Sequence, residues 1–150
     1  MRRLLILASV LVALSACASG PAPSAGSTGT WNFTYDSATG VSRAAQSDAG
    51  ATIQCQAPNG DMLLVDSILG ARGVTSANFT IGQQSITVPA QSSGRTLTIR
   101  LPRRPPNLGA YAHLSQDAVS VTAGGRTHTY APDAVQKIAQ VANACWPSGS

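Results

Sequence analysis

The stretch WNFTYDSATGVSRAAQ, residues 31–46, sets a pattern that returns throughout the chain. Trp31, Phe33 and Tyr35 alternate with polar residues, and a period of two is typical of a β-strand with one buried face. Gly40 then ends a short turn sequence, and a second strand-like run follows it. The stretch therefore predicts two short strands joined by a tight turn.

Similar short runs recur along the rest of the chain, and most of them are separated by glycine-containing turns. The further expected strands are 41–46, 52–56, 62–68, 74–81, 85–90, 96–101, 119–123 and 127–131. Turns that recur about every 8 to 12 residues are typical of antiparallel domains. We therefore expect a mainly β fold, an antiparallel β-sandwich or partly open barrel of about 7–9 short strands. Residues 62–65 are apolar without alternation, which predicts a central strand covered on both faces.

The C-terminal segment changes to a helical spacing. Asp133 is the expected N-cap and Pro147 the expected stop, so we expect one C-terminal α-helix of about 12 residues between them. Its apolar stripe consists of Val135, Ile138, Ala139, Ala142, Cys145 and Trp146. A short helical turn is also expected within 107–114.

The N-terminus has the order of a secretory signal peptide. Two arginines precede the apolar run 4–14, which is shorter than the ~20 residues of a membrane-spanning helix. Leu14-Ser15-Ala16-Cys17 at its end resembles the lipobox of bacterial lipoproteins. That resemblance implies that Cys17 becomes the mature N-terminus and carries acyl chains, which anchor the protein in a membrane. Ala18 in the next position favours the outer membrane, facing the periplasm.

An ordinary cleavage site at Ala16-Cys17-Ala18 would instead give a soluble periplasmic protein. In the lipoprotein interpretation, 1–16 is the signal peptide and 17–30 is the lipidated cysteine with a flexible linker. Residues 18–30 carry no charge and no large apolar residue and consist only of Ala, Ser, Gly, Pro and Thr, so they cannot bury enough surface to fold. Residues 31–150 then form one small β domain with the C-terminal helix.

The three cysteines are expected to have two different roles. With Cys17 acylated or removed, Cys55 and Cys145 remain, and two cysteines in an oxidising compartment predict a disulfide. A reactive or metal-binding thiol pair is the alternative, but the CxxC spacing that supports it is missing.

The charge balance argues against nucleic acid as a partner. The formal net charge is +4, but Arg2 and Arg3 leave with the signal peptide, so 8 cations face 6 aspartates in the mature chain. A net charge of +2 is far from the basic field of a nucleic-acid-binding domain.

Four of the eight mature cations lie within ten positions of the sequence RTLTIRLPRR. Guanidinium groups suit the phosphates and carboxylates of glycans and lipid head groups, so Arg95, Arg100, Arg103 and Arg104 are the candidate ligand-binding residues. The alternative interpretation is a solvated strand end whose charges and prolines discourage edge pairing.

Catalytic and metal-binding signals are weak. His113 and His128 are the only histidines, and a metal site would need Asp117 or Asp133 as a third ligand. The nucleophile, zinc and phosphate-loop motifs of hydrolases and nucleotide-binding proteins do not occur. We predict no catalytic residue, metal or cofactor, and expect His128 to be an exposed strand residue. The aromatic row of the first strand and Trp146 are expected in the core rather than on a sugar-stacking surface.

These observations favour a non-enzymatic envelope lipoprotein with a binding or assembly role, and anionic glycans or lipid head groups as its ligands. A periplasmic inhibitor or chaperone-like protein is the first alternative. An envelope hydrolase is the rival class, and the oligomeric state is left open.

Overall fold

A computed structural model describes residues 25–26, 29–48, 50–57, 60–103 and 117–146. The strands are β1 (Ala25–Gly26), β2 (Trp31–Asp36), β3 (Val41–Gln46), β4 (Ala51–Gln56), β5 (Met62–Asp66), β6 (Ser76–Ile81), β7 (Gln84–Ser93), β8 (Thr96–Leu101), β9 (Val119–Ala123) and β10 (Arg126–Thr129), and the helix is α1 (Ala134–Cys145).

The strands form one curled, half-barrel sheet in the order β1-β10-β9-β6-β7-β8-β5-β4-β3-β2. The nine strands β2 to β10 are antiparallel to one another where they pair. The two-residue β1 pairs in parallel with β10. The mainly β, partly open barrel with a C-terminal helix is therefore confirmed. β1 lies within the segment expected as a linker, and residues 1–24 and 107–114 lie outside the described residues.

Strand β7 joins the two sections of the sheet because it changes partner along its length. Gln84 to Pro89 pair with β6, and Ala90 to Ser93 pair with β8. The strand runs for 10 residues, longer than the expected 85–90. This change of partner joins the section formed by β1, β10, β9 and β6 to the section formed by β8, β5, β4, β3 and β2.

The core lies on the concave side of the sheet. Alternate residues of most strands point inward, as Ala51, Ile53 and Cys55 do in β4. Helix α1 covers the inner face of β2 to β5, and its buried residues follow the expected apolar stripe. The hydroxyl of Ser42 in β3 donates to the carbonyl oxygen of Val141 at 3.2 Å, so a polar contact also fixes the helix to the sheet.

The expected disulfide is present between Cys55 in β4 and Cys145 at the end of α1. Their Cα atoms lie 5.8 Å apart, within the range that a disulfide spans. Because 90 positions separate the two cysteines, the bond connects the C-terminal helix to an early strand.

Two expectations about burial and one about helix capping need correction. β5 is central in the sheet, but Leu63 and Val65 are only half-buried, because α1 covers its inner face alone. Tyr35 is 51% exposed, so only the first part of the aromatic row enters the core. Asp133 precedes α1 without a side-chain cap, and its Oδ2 accepts a hydrogen bond from the backbone N–H of Trp31 at 3.3 Å instead.

Candidate functional site

A cleft of about 320 Å³ opens where β7 and β8 part. We call it the Arg–Trp cleft. The side chains that define it are Asp61, Val88, Arg100, Leu101, Arg103 and Trp146. Val88 and Leu101 are buried residues of the core, so the cleft has apolar walls beneath its charged residues.

The cleft follows directly from the change of partner in β7. The last pair between β7 and β8 joins Ala90 to Ile99. One step further, the same register would place Pro89 opposite Arg100, but Pro89 pairs with Ser76 of β6. Proline has no backbone N–H and cannot donate a hydrogen bond to a neighbouring strand, so β7 and β8 separate at this position.

Trp146 forms one wall of the cleft and is held there by backbone contacts. Its Nε1 donates to the carbonyl oxygen of Gly60 at 3.0 Å. Its backbone N–H donates to the carbonyl oxygen of Ala142 at 2.8 Å, which places it at the end of α1. Since Cys145 comes immediately before it, the disulfide to Cys55 anchors this wall to the sheet. Trp146 was expected in the core, but it is only half-buried against the core.

Arg103 lies over the ring of Trp146. The guanidinium carbon is 5.7 Å from the ring centroid, within the range of a cation–π contact. The side chain of Arg103 is exposed. It therefore presents its N–H donors to solvent beside an aromatic surface.

Arg100 lies at the same opening and forms an ion pair with Asp61. Arg100 Nε is 3.4 Å from Asp61 Oδ2, and the two side chains are 65% and 59% exposed. Exposed pairs of this kind contribute little to stability because both groups remain solvated. Both are accessible to a ligand that enters the cleft.

Of the four predicted arginines, the structure places three, and these three do not lie together. Arg100 and Arg103 line the Arg–Trp cleft. Arg95 precedes β8 at its opposite end, about 17 Å away along an extended strand. Arg104 lies outside the described residues. The sequence motif therefore contains a pair of arginines at the cleft and at least one arginine that belongs to another part of the surface.

The expectation that His128 is an exposed strand residue is wrong. Its side chain is 2% exposed, and Nδ1 lies 2.6 Å from Asp66 Oδ2. Tyr130 donates its hydroxyl to the same carboxylate oxygen at 2.8 Å. The other oxygen of Asp66 accepts the backbone N–H groups of Ile68 and Leu69 at 2.8 and 2.9 Å.

Hairpin register is the signal that could have located His128 correctly. The Gly124-Gly125 turn sets the pairing of β9 with β10, and His128 falls opposite Val121. Directly opposed residues share a face of the sheet, so an inward Val121 predicts an inward His128. No comparable sequence signal identifies Asp66 as its partner, because β5 and β10 are not neighbours in the sheet.

The buried network shifts the pKa values of its acids in opposite directions. Burial by itself raises the pKa of Asp66, but the hydrogen bonds from His128, Tyr130 and the two backbone N–H groups outweigh it and hold this pKa below its usual value. Burial, followed by the nearby charge of Asp66, raises the pKa of Tyr130 well above its usual value. An ionised Asp66 with four donors and a neutral Tyr130 is thus the favoured arrangement.

An Asp–His pair is also a component of hydrolytic triads, and a nucleophile would have to hydrogen-bond to the histidine. In the part of the chain that the structure describes, Asp66 is the residue that hydrogen-bonds to His128, and no serine, threonine or cysteine side chain does so. No three His, Cys, Asp or Glu side chains among the described residues are grouped to hold a metal ion. His113 lies outside the described residues.

Comparisons with family models, with curated proteins and with solved structures give no match. Among the described residues, no helix is both long and apolar enough to cross a membrane.

Proposed function

We propose that the protein is a membrane-tethered envelope lipoprotein that binds anionic envelope polymers in the Arg–Trp cleft. The observation that carries the proposal is the placement of Arg100 and Arg103 at one opening, beside the ring of Trp146. Lipidation at Cys17 would keep this binding site close to the membrane surface. The role is binding or assembly rather than catalysis.

Two guanidinium groups at one opening favour an anionic ligand. Each guanidinium has a planar fork of donors that matches a carboxylate or phosphate. Arg103 remains exposed while it contacts Trp146, so its guanidinium is accessible to a ligand. Arg100 shares its charge with Asp61 and contributes a weaker attraction.

The remaining lining favours a ligand with an apolar surface as well as charge. Val88, Leu101 and Trp146 present apolar groups in a concave site, and concave, mostly apolar sites with a few polar groups are the common form of ligand pockets. Half-buried Trp146 adds aromatic surface to the cleft lining, against which a sugar or an aliphatic chain can pack.

Co-sedimentation of the purified full chain with peptidoglycan sacculi, and pull-down with lipopolysaccharide, test this proposal. We expect the double variant Arg100→Ser/Arg103→Ser to lose binding. We expect wild-type binding to weaken as salt rises, because exposed charges are screened over roughly 8 Å at physiological ionic strength. Exposed charge replacements rarely affect stability, so the melting temperature should change little.

The matched control is Arg43→Ser/Arg95→Ser, which removes the same charge from arginines outside the cleft. It should bind almost as well as the wild type. Equal losses of binding in the two double variants would show a nonspecific charge effect. Unchanged, salt-insensitive binding by both variants would contradict the cleft as the binding site.

A further inference from the structure

We infer that the ligand of the Arg–Trp cleft carries an ammonium group as well as an anionic group, and that it is the peptide stem of peptidoglycan, ending in a diamino acid with a free amine and carboxylate. This inference rests on the proposed function, because it names the ligand class of the same cleft. Its basis is the carboxylate of Asp61 beside Arg100.

A site built for anions alone would not place a carboxylate at its opening. Asp61 Oδ2 lies 3.4 Å from Arg100 Nε, so it would repel an anion that approaches this guanidinium. The side chain of Asp61 is 59% exposed and lines the cleft. It is therefore accessible to a group that enters the cleft.

A zwitterion complements this pair of charges directly. Its carboxylate can accept hydrogen bonds from Arg100 while its ammonium donates to Asp61, because both groups are solvated and close together. Free amino acid ends have this arrangement of ammonium and carboxylate on one carbon. Arg103 remains available for a second carboxylate on the same stem.

The apolar walls agree with such a stem. Val88, Leu101 and the ring of Trp146 lie beside the charged residues, where the methylene groups of a diamino acid side chain can pack. The volume of about 320 Å³ suits one such residue with part of its peptide chain. The phosphates of lipopolysaccharide would use the arginines but leave Asp61 opposed to an anion.

Sacculi with acetylated amino groups separate the two ligand chemistries. Acetylation removes the stem ammonium groups and leaves the carboxylates, so the polymer becomes more anionic. We expect the purified full chain to bind acetylated sacculi more weakly than unmodified sacculi. Binding to an anion alone predicts the opposite change, since the negative charge of the polymer increases.

Asp61→Asn provides the second arm, with Asp117→Asn as its matched control. Asp117 is exposed, lies outside the cleft and carries the same charge. We expect Asp61→Asn to weaken binding to unmodified sacculi about two- to fivefold, because exposed ionic contacts are modest. We expect no loss with acetylated sacculi, and no effect of Asp117→Asn on either polymer.

The possible results distinguish the inference from the proposed function. Tighter binding by Asp61→Asn to both polymers, or equal binding of acetylated sacculi by the wild type, overturns the zwitterionic ligand and leaves anion binding in place. Binding to lipopolysaccharide but not to sacculi also overturns it. An unchanged affinity in Arg100→Ser/Arg103→Ser overturns the binding site itself.

Discussion

The carboxylate of Asp66 lies 2.6 Å from Nδ1 of His128, and both side chains are buried. Four strands separate β5 from β10 in the order of the sheet, so this contact joins two distant strands across the concave side. Tyr130 donates to the same carboxylate and packs against Trp31, with ring centroids 5.9 Å apart. The network thus connects the end of β10 to both β5 and the start of β2.

Acid should weaken the fold through Asp66. Its pKa is lower in the folded protein than the ordinary value of 3.8, so the stability it contributes is present above that value and is lost as the pH falls through the folded pKa. We expect the free energy of unfolding, measured by urea denaturation, to fall below about pH 4.

Asp66→Asn should show a flatter acid profile. Exposed Asp36 also has a lowered pKa, but it is common to both proteins, so the difference between the two curves isolates Asp66. Parallel curves would contradict the stabilising role of the ionised carboxylate.

Tyr130→Phe should lower the free energy of unfolding near pH 7 by about 1.5–3 kcal/mol, because it removes a buried hydrogen bond to a charged group. Tyr35→Phe removes the same hydroxyl at a side chain that is 51% exposed, and should stay within about 0.5 kcal/mol of the wild type.

High pH should reduce the difference between Tyr130→Phe and the wild type. The pKa of Tyr130 is raised on folding, so the unfolded state ionises first and the wild type loses stability above about pH 10. A difference that stays constant up to pH 11 would argue against a buried neutral hydroxyl.

Removing the disulfide should lower the stability of the fold and weaken binding in the Arg–Trp cleft. Closing a loop across 90 positions contributes roughly 4–5 kcal/mol in the chain-entropy model, so Cys55→Ala/Cys145→Ala should unfold at clearly lower urea concentration. The same variant should bind sacculi more weakly at temperatures where it is still folded, because Trp146 directly follows Cys145. Non-reducing peptide mapping checks the bond itself, and free thiols at both positions would contradict it.

Lipidation at Cys17 stays a prediction from the lipobox resemblance. Cys17→Ser should release the protein from the membrane fraction or stop its processing, and mass spectrometry should find acyl chains on the wild-type N-terminus. If the variant is processed and fractionates like the wild type, with no lipid on either protein, the soluble alternative is correct.

Local sequence patterns predicted several elements closely. The bounds of β8 and β9 match the expected 96–101 and 119–123, and α1 has the expected 12 residues. These elements depend on alternation, turn residues and helical spacing, which are properties of neighbouring positions.

Long-range relationships were not predictable from such patterns. Alternation identified a strand at 85–90 but not its change of partner at Pro89, which creates the cleft. The motif RTLTIRLPRR pointed to a basic surface, yet only the fold shows that Arg100 meets Asp61 and that Arg103 meets Trp146. Asp61 and Trp146 are distant in sequence from those arginines, and no local pattern connects them.

The indole N–H resonances offer the most direct test of the Arg–Trp cleft as the binding site. The chain has 2 tryptophans, and they lie in different environments. Trp31 is 3% exposed, and its Nε1 has no hydrogen-bond partner among the described residues, whereas Trp146 lines the cleft. A soluble peptidoglycan stem peptide is titrated into the ¹⁵N-labelled protein. The Trp146 resonance should shift until the binding site is saturated, while the Trp31 resonance stays in place. A Trp146 resonance that does not move while the peptide binds would contradict the assignment of this cleft as the binding site.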